Sequence, residues 1–177
     1  MLKTVDLKNG WIDYGDALKV SQDFHDAHPA AQVRKGDILV ASTGYVSMGK
    51  VDVYGRDEPA VVDGHVGIVR VNSRYNPQFT AAFLRSHFGQ LQFEKWFTGS
   101  SGQIELQPHD LGNFLVPTFE SISLNEQRRV AALVMRRLKR AHALELRAEA
   151  KWREARDLFL TMILGNELQA SSADLRF

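Results

Sequence analysis

The feature that most constrains this chain is the run from residue 123 to residue 165, which contains no proline and no glycine before Gly165. Those two residue types are the strongest interrupters of a helix, so nothing inside the run stops one that has started. Ser123 and Glu126 have capping-box spacing, in which the hydroxyl accepts from a first-turn amide and the carboxylate reaches back to the cap amide. Gly165-Asn166 supplies a residue able to take the left-handed conformation at the other end. The spacing therefore predicts a helix roughly 60 Å long, at about 1.5 Å per residue. A single compact core in a chain of 177 residues does not cover a rod of that length. The expected organisation is one domain carrying a helical arm.

The arm has a seam. Val134, Ala141, Ala148, Ala155 and Met162 fall on one heptad position, and Leu138, Glu145, Trp152 and Phe159 on the other. Repeated alanines let a partner helix approach closely, and the polar break at Glu145 fixes register. A lone helix would leave Leu138, Trp152, Phe159 and Met162 in water. A partner helix is expected, from the same domain, a second copy or another protein; a helix folded back on its own domain is the other arrangement the pattern allows.

The charge of the whole chain is only +1, but its distribution is uneven. Between residues 126 and 156 the basic side chains are Arg128, Arg129, Arg136, Arg137, Lys139, Arg140, Arg147, Lys151, Arg153 and Arg156, against Glu126, Glu145, Glu149 and Glu154. Pairs at i,i+4, such as Glu149 with Arg153 and Arg153 with Asp157, explain part of this. The surplus fits DNA phosphates or an acidic partner face. The absence of cysteine excludes disulfides and cysteine-based zinc sites. The first residues hold no apolar run of signal-peptide type, and no stretch reaches transmembrane length. A cytoplasmic protein with no membrane contact is expected.

The remainder is punctuated by glycine. Short extended pieces at residues 3–7 lead to a turn at Asn9-Gly10, and residues 16–28 read as weakly helical up to Pro29. After the turn Lys35-Gly36-Asp37, strands are predicted at residues 38–41, 50–54, 60–62 and 66–71, with Val51 and Val53 sharing a face. Asn76 caps a helix with Pro77 in its first turn, predicted over 77–88, and residues 91–97 continue helically. Residues 98–102 read as a polar loop. Strands at 104–106 and 114–116 flank a single turn at 108–111, and Pro117 closes the domain. The fold class expected is α+β: a small mixed sheet with flanking helices over 1–117, a linker over 118–123, a long coiled-coil helix over 124–165, and a flexible tail over 166–177.

Several motifs then agree in order. Val33-Arg34-Lys35-Gly36-Asp37-Ile38-Leu39-Val40, followed by Gly44 and by Gly49-Lys50-Val51, resembles the "kGDiLv...G..Gk" signature of the specificity subunits of type I restriction-modification systems. Ser101-Gly102, Leu111 and Val116-Pro117 are similar to the "G...l....l....iP" closure of their target-recognition domains. The segment Asn125-Glu126-Gln127-Arg128-Arg129-Val130 resembles the "eQ..I" start of their long helix, and residues 76–84 sit where those domains carry a "yl...l" helix. The resemblance runs from about residue 6 onward. It implies a non-catalytic subunit that reads double-stranded DNA. The family carries two recognition domains and two long antiparallel helices, and reads a split target. Its partner methyltransferase and translocase subunits supply all catalysis, using S-adenosylmethionine, ATP and magnesium. With one domain, one helix and a late start, this chain is expected to be half such a subunit, lacking the first strand or helix of the domain and pairing as a homodimer.

By that analogy the DNA-reading side chains are expected on two loops. Ser42, Thr43, Tyr45, Ser47 and Lys50 form one group, with Lys50 on phosphate and Thr43 or Tyr45 toward bases. Lys95, Thr98, Ser100, Ser101 and Gln103 form the second, and the two-sided amide of Gln103 can pair with adenine. Arg74, Arg70 and His65 are further candidates. Polar loop residues are by default simply solvated, and that reading stands beside each of these. The aromatic set Phe79, Phe83, Phe88, Phe93, Trp96 and Phe97 is expected in the core rather than as a stacking platform. The segment Asn76-Pro77-Gln78-Phe79 lacks the second proline of an adenine-methyltransferase motif, and no glycine-rich cofactor loop accompanies it. His25 and His28 near Asp23 and Asp26 read as solvated rather than metal-binding. No catalytic residue, cofactor or metal is expected in this chain. A protein of another class, a degenerate half-subunit acting only through its helix, is the rival reading.

Overall fold

The computed structural model describes residues 1–100 and 103–164, and is mixed α+β with small antiparallel sheets and a long C-terminal helix. One compact unit spans Met1–Met135 and a second begins at Arg136. The elements of the first are α1 (Gln22–Ala27), a 3-10 turn (Pro29–Ala31), β1 (Gln32–Val33), β2 (Ile38–Ala41), β3 (Val51–Val53), β4 (Ala60–Val61) and β5 (Val66–Val69). Then follow α2 (Pro77–Arg85), α3 (His87–Trp96), β6 (Thr98–Ser100), β7 (Gln103–Glu105) and α4 (Pro108–Leu111). The last helix, α5 (Leu124–Leu164), starts in the first unit and continues through the second.

The core is organised on β2. It lies between β3 and β5, antiparallel to both, with Leu39 opposite Asp52 and Ile68. All four of its residues are buried, because successive side chains point to opposite faces and both faces are covered. Ile38 and Val40 pack with Val51, Ala81, Leu84, Phe93 and Leu106. Leu39 and Ala41 pack with Leu2, Leu7, Ile12, Val33, Tyr54 and Val62. That is why the strand reads as a continuous apolar run instead of an alternating one. Val51 and Val53 share the helix-side cluster, as their alternation requires.

Two polar clips hold the turns. In the turn before β2 the Arg34 amide donates to Asp37 Oδ2 at 2.8 Å, and Gly36 takes φ +95°, which an L side chain resists. Asp37 is buried and receives a two-pronged contact from Arg70, Nε to Oδ1 and Nη2 to Oδ2, each at 2.9 Å. On the edge strand β3 the turn at Asn9 docks on buried Asp52. Its carboxylate accepts from the amides of Asn9 and Gly10, while Asn9 Oδ1 accepts from the Val51 amide. Burial pushes the Asp52 carboxyl up to about 7, against the opposing pull of the Gly10 amide and of Arg85, whose Nη1 lies 3.7 Å away.

Several sequence expectations shift. Of residues 16–28 only Gln22–Ala27 is helical, capped by Ser21 accepting from Phe24, and Pro29 opens a 3-10 turn. The helix expected over 77–88 stops at Arg85, because Ser86 takes an extended conformation and starts α3. Residues 114–116 form no strand: Gln92 occupies both the amide and the carbonyl of Leu115, at 2.6 and 3.0 Å, in place of a neighbouring strand. Thr98–Ser100, expected as loop, is a strand paired with Gln103–Glu105. Its exposed polar side chains carry no apolar alternation to announce it.

At the start of α5, Ser123 Oγ accepts from the Glu126 amide at 3.3 Å, the expected half of a capping box. The Glu126 carboxylate turns instead to Arg129, 2.8 Å away. Gln127, fully buried, anchors this first turn. Its Oε1 accepts from the Asn76 amide at 2.8 Å, and its Nε2 donates to the carbonyls of Ile122 and Arg74. The unit boundary accordingly falls within α5, beyond the Pro117 closure read from the sequence. Gly165, the expected helix stop, and the tail over 166–177 lie outside the described residues. No helix among the described residues is long and apolar enough to cross a membrane.

Candidate nucleic-acid interface

The segment between β2 and β3 is a loop closed on itself. The amides of Ser47 and Met48 both donate to the Gly44 carbonyl, at 3.0 and 2.8 Å, and the Gly49 amide returns to Ala41. Gly49 sits at φ +78° with α3 directly against it; a Cβ there would lie 2.8 Å from Gln90 Oε1 and 3.3 Å from the Phe93 ring. These constraints push the tip outward, leaving Tyr45 77 % and Val46 86 % exposed.

The second loop group lies on the β6–β7 hairpin, and β7 runs beside the first. Thr43 is bridged antiparallel to Glu105. The Gly44 amide donates to Ile104 O at 3.1 Å, and the Leu106 amide to Ser42 O at 2.8 Å. Ile104 and Leu106 are buried, which fixes the hairpin and turns Gln103 and Glu105 outward. Two groups far apart in sequence thus form one polar edge carrying Thr43, Tyr45, Ser47, Thr98, Ser100 and Gln103. Thr98 Oγ1 reaches Glu105 O at 3.4 Å. Lys50 is half-buried and its ammonium pairs with no described residue. Lys95 is exposed, its Nζ 5.1 Å from the centre of the Trp96 ring. Glu105, an exposed anion on this edge, was missed by the sequence reading. It repels phosphate and suits an amino group on a base edge.

Other candidates are not brought to this edge. Ser42 is buried and its hydroxyl donates to His65 O at 2.9 Å, so its side chain is spent on structure. His65 is exposed, but it contributes through its backbone. Arg70 is committed to Asp37 and to the Gln32 carbonyl. Arg74 stands over the Phe119 ring at 4.6 Å, near the Gln127 anchor. Ser101 lies outside the described residues.

Of the aromatic set, Phe79 and Phe93 are buried, and Phe83 and Trp96 pack against the helix-side cluster. Phe97 is half-buried and Phe88 is 70 % exposed, a departure from the expected core placement. Phe88 lies in the first turn of α3, just after the helix break at Ser86. With Phe83, Gln92, Lys95, Trp96, Asn113 and Leu115 it lines a hollow of about 680 Å³. His25 pairs with Asp26 at 3.0 Å, and His28 stacks on Phe24 while its Nδ1 reaches the Phe24 carbonyl. Among the described residues no group of three His, Asp or Glu side chains is placed to hold a metal ion.

In the second unit, the described helix from Arg136 onward leaves its apolar residues in water. Trp152 is 71 %, Phe159 63 % and Met162 76 % exposed, with Ala141, Ala148 and Ala155 exposed among them; Leu138 is half-exposed. Trp152, Ala155, Arg156, Phe159 and Leu160 outline an apolar groove of about 360 Å³. Val134 belongs to the first unit. The heptad reading missed Leu144, Leu146, Leu158, Leu160 and Ile163, also exposed, which spread the apolar surface beyond one seam. In comparison with known proteins, no family model and no curated protein matches this chain.

Proposed function

We propose that this chain recognises DNA sequence and performs no catalysis itself, acting as a half-size specificity subunit of the type I restriction-modification kind. In this reading the edge built from the Thr43–Ser47 loop and the β6–β7 hairpin enters a groove of double-stranded DNA. Tyr45, Gln103 and Glu105 face base edges, and Lys50 and Lys95 face phosphates. Two copies pair through the α5 seam, as a coiled coil, to read a split, symmetric target. A methyltransferase subunit, and with it a translocase subunit, supplies the chemistry with S-adenosylmethionine, ATP and magnesium. The observation that carries the reading is the pairing of β7 with the Ser42–Gly44 backbone, because it joins two separate polar loops into one exposed edge. The ordered motifs support it through their structural parts: positive φ at Gly36 and Gly49, the close contact of Gly49 with α3, and the hydrogen bonds made by Asp37 and Gln127.

The test is binding to duplex libraries over a salt series, with and without the methyltransferase subunit. A sequence-selective complex is expected, weakening steeply with salt as phosphate contacts release counterions. Absence of selectivity in both conditions overturns the reading. Gln103→Ala is expected to relax the preference at one base pair by about 1 to 3 kcal/mol; an unchanged preference removes Gln103 from the edge. The second reading, a module that works only by protein association, is favoured by the exposure of Trp152, Phe159 and Met162. It predicts dimers without DNA binding.

A further inference from the structure

The second unit carries a basic row on a different side of the helix from Leu138, Trp152 and Phe159. Arg136, Arg140, Arg147 and Lys151 recur at spacings of seven and four, which places them within about 60° of one another around the helix at 3.6 residues per turn. All four are exposed. Lys151 is paired with Glu154 at 2.6 Å, whereas Arg136, Arg140 and Arg147 pair with no described residue. The acids Glu145 and Glu149 lie on a different side of the helix, so they do not neutralise this row. Arg136 with Arg140, and Arg147 with Lys151, are like charges at i,i+4 and repel one another in the isolated helix. Such a row is relieved by an anionic surface alongside it. The row also stands about a third to a half of a turn away from Leu138, Trp152 and Phe159, so a helix packed on that seam leaves it in water.

We propose that Arg136, Arg140 and Arg147 form a sequence-independent contact surface for the phosphates of duplex DNA. This rests on the reading of the chain as a DNA-recognition protein and adds a second, non-reading contact to it. The three guanidinium groups extend over about 16 Å of helix. A duplex presents one negative charge per about 1.7 Å of its axis, so several phosphates are in reach of a row that long. The planar fork of arginine suits phosphate oxygens two at a time. All three positions carry arginine, which fits that geometry better than lysine would.

The experiment uses the full chain and a random-sequence duplex of about 40 base pairs, titrated between about 50 and 200 mM salt. The triple variant Arg136→Gln, Arg140→Gln, Arg147→Gln is expected to lower the slope of log affinity against log salt by about 2 to 3, and to leave the ratio of affinities between two sequences unchanged. A matched triple, Arg128→Gln, Lys139→Gln, Arg153→Gln, removes the same charge from another face and is expected to change the slope by less than about 1. The Arg→Lys triple at the three sites is expected to restore most of the slope. Circular dichroism at 222 nm establishes that each helix is formed. A wild-type slope in the first triple overturns the proposal, as does an equal loss in the matched triple, which would mean net charge alone. Loss of polyglutamate binding with duplex binding intact also overturns it, in favour of an acidic protein. A wild-type chain without sequence preference whose slope still depends on the row would defeat the recognition reading and leave this one standing.

Discussion

The two units treat apolar side chains in opposite ways. In Met1–Met135 the strand Ile38–Ala41 buries every residue, half toward the N-terminal segment and half toward α2 and α3. In the described helix beyond Arg136 the largest apolar side chains, Trp152, Phe159 and Met162, are mostly in water. Both patterns are regular in sequence. The first is covered by its own neighbours, and the second is mostly exposed. Burial, not hydrophobic content, separates the units, and this is testable because the first should melt on its own terms.

The largest effect is expected in the central strand. Leu39→Ala removes a fully buried side chain and leaves a cavity where β2 meets the N-terminal segment, costing about 2 to 5 kcal/mol of unfolding free energy. Chemical denaturation followed by near-ultraviolet circular dichroism reads it. A cost below about 1 kcal/mol would mean that the first unit is not held by this core.

A pH dependence comes next. Asp52 has a folded pKa of about 7, above its ordinary carboxylate value, with burial as the main cause. The folded state therefore holds a proton that the unfolded chain has already lost between about pH 4 and 7. Its contribution is fully present below the ordinary value and disappears as pH rises through 7, a change of roughly a few kcal/mol. Denaturation midpoints are expected to fall over that window, and Asp52→Asn, which cannot ionise, to flatten the decline. The same slope in the variant would assign it to other groups.

Gln127→Ala tests the junction where the first unit grips α5. Removing the amide leaves the Asn76 N–H and the Ile122 carbonyl without partners, at about 1 to 3 kcal/mol. Hydrogen exchange is expected to accelerate at the Asn76 amide and through the first turns of α5. Acceleration confined to residues beyond Arg136 would contradict the anchor.

What was legible in the sequence follows the same division. The strand Ile38–Ala41, the Asn76 cap and the whole run of α5 carry strong local signals, and each stands where the sequence placed it. The polar partners were not legible. Gln92 caps Leu115 across 23 positions, and Ser42 spends its hydroxyl on His65 across the same distance, contacts with no local periodicity. The candidate site was half legible for that reason. Loop composition marked Tyr45, Lys95 and Gln103 as exposed polar positions. Only the pairing of β7 with residues 42–44 shows that they share an edge, and that it includes Glu105. Buried Gln127 was visible only as part of a motif, since an isolated glutamine on a basic helix reads as solvated.

The smallest effect on the first unit is expected from the most conspicuous apolar residues in the chain. Trp152→Ala with Phe159→Ala removes two large, mostly exposed side chains of the second unit, so unfolding of Met1–Met135 should move by less than about 0.5 kcal/mol. Association should respond strongly, because an aromatic anchor removed from a helix pair typically weakens binding by about 2 kcal/mol or more, roughly thirtyfold. Sedimentation at tens of micromolar separates the two quantities: the wild type as dimer, the double variant as monomer, with the same melting of the first unit. A strictly monomeric wild type would remove the homodimer and assign the exposed face to a different helix. A large loss of stability in the first unit would show that the helix folds back on its own domain, and the contrast between buried and exposed apolar regions would not hold.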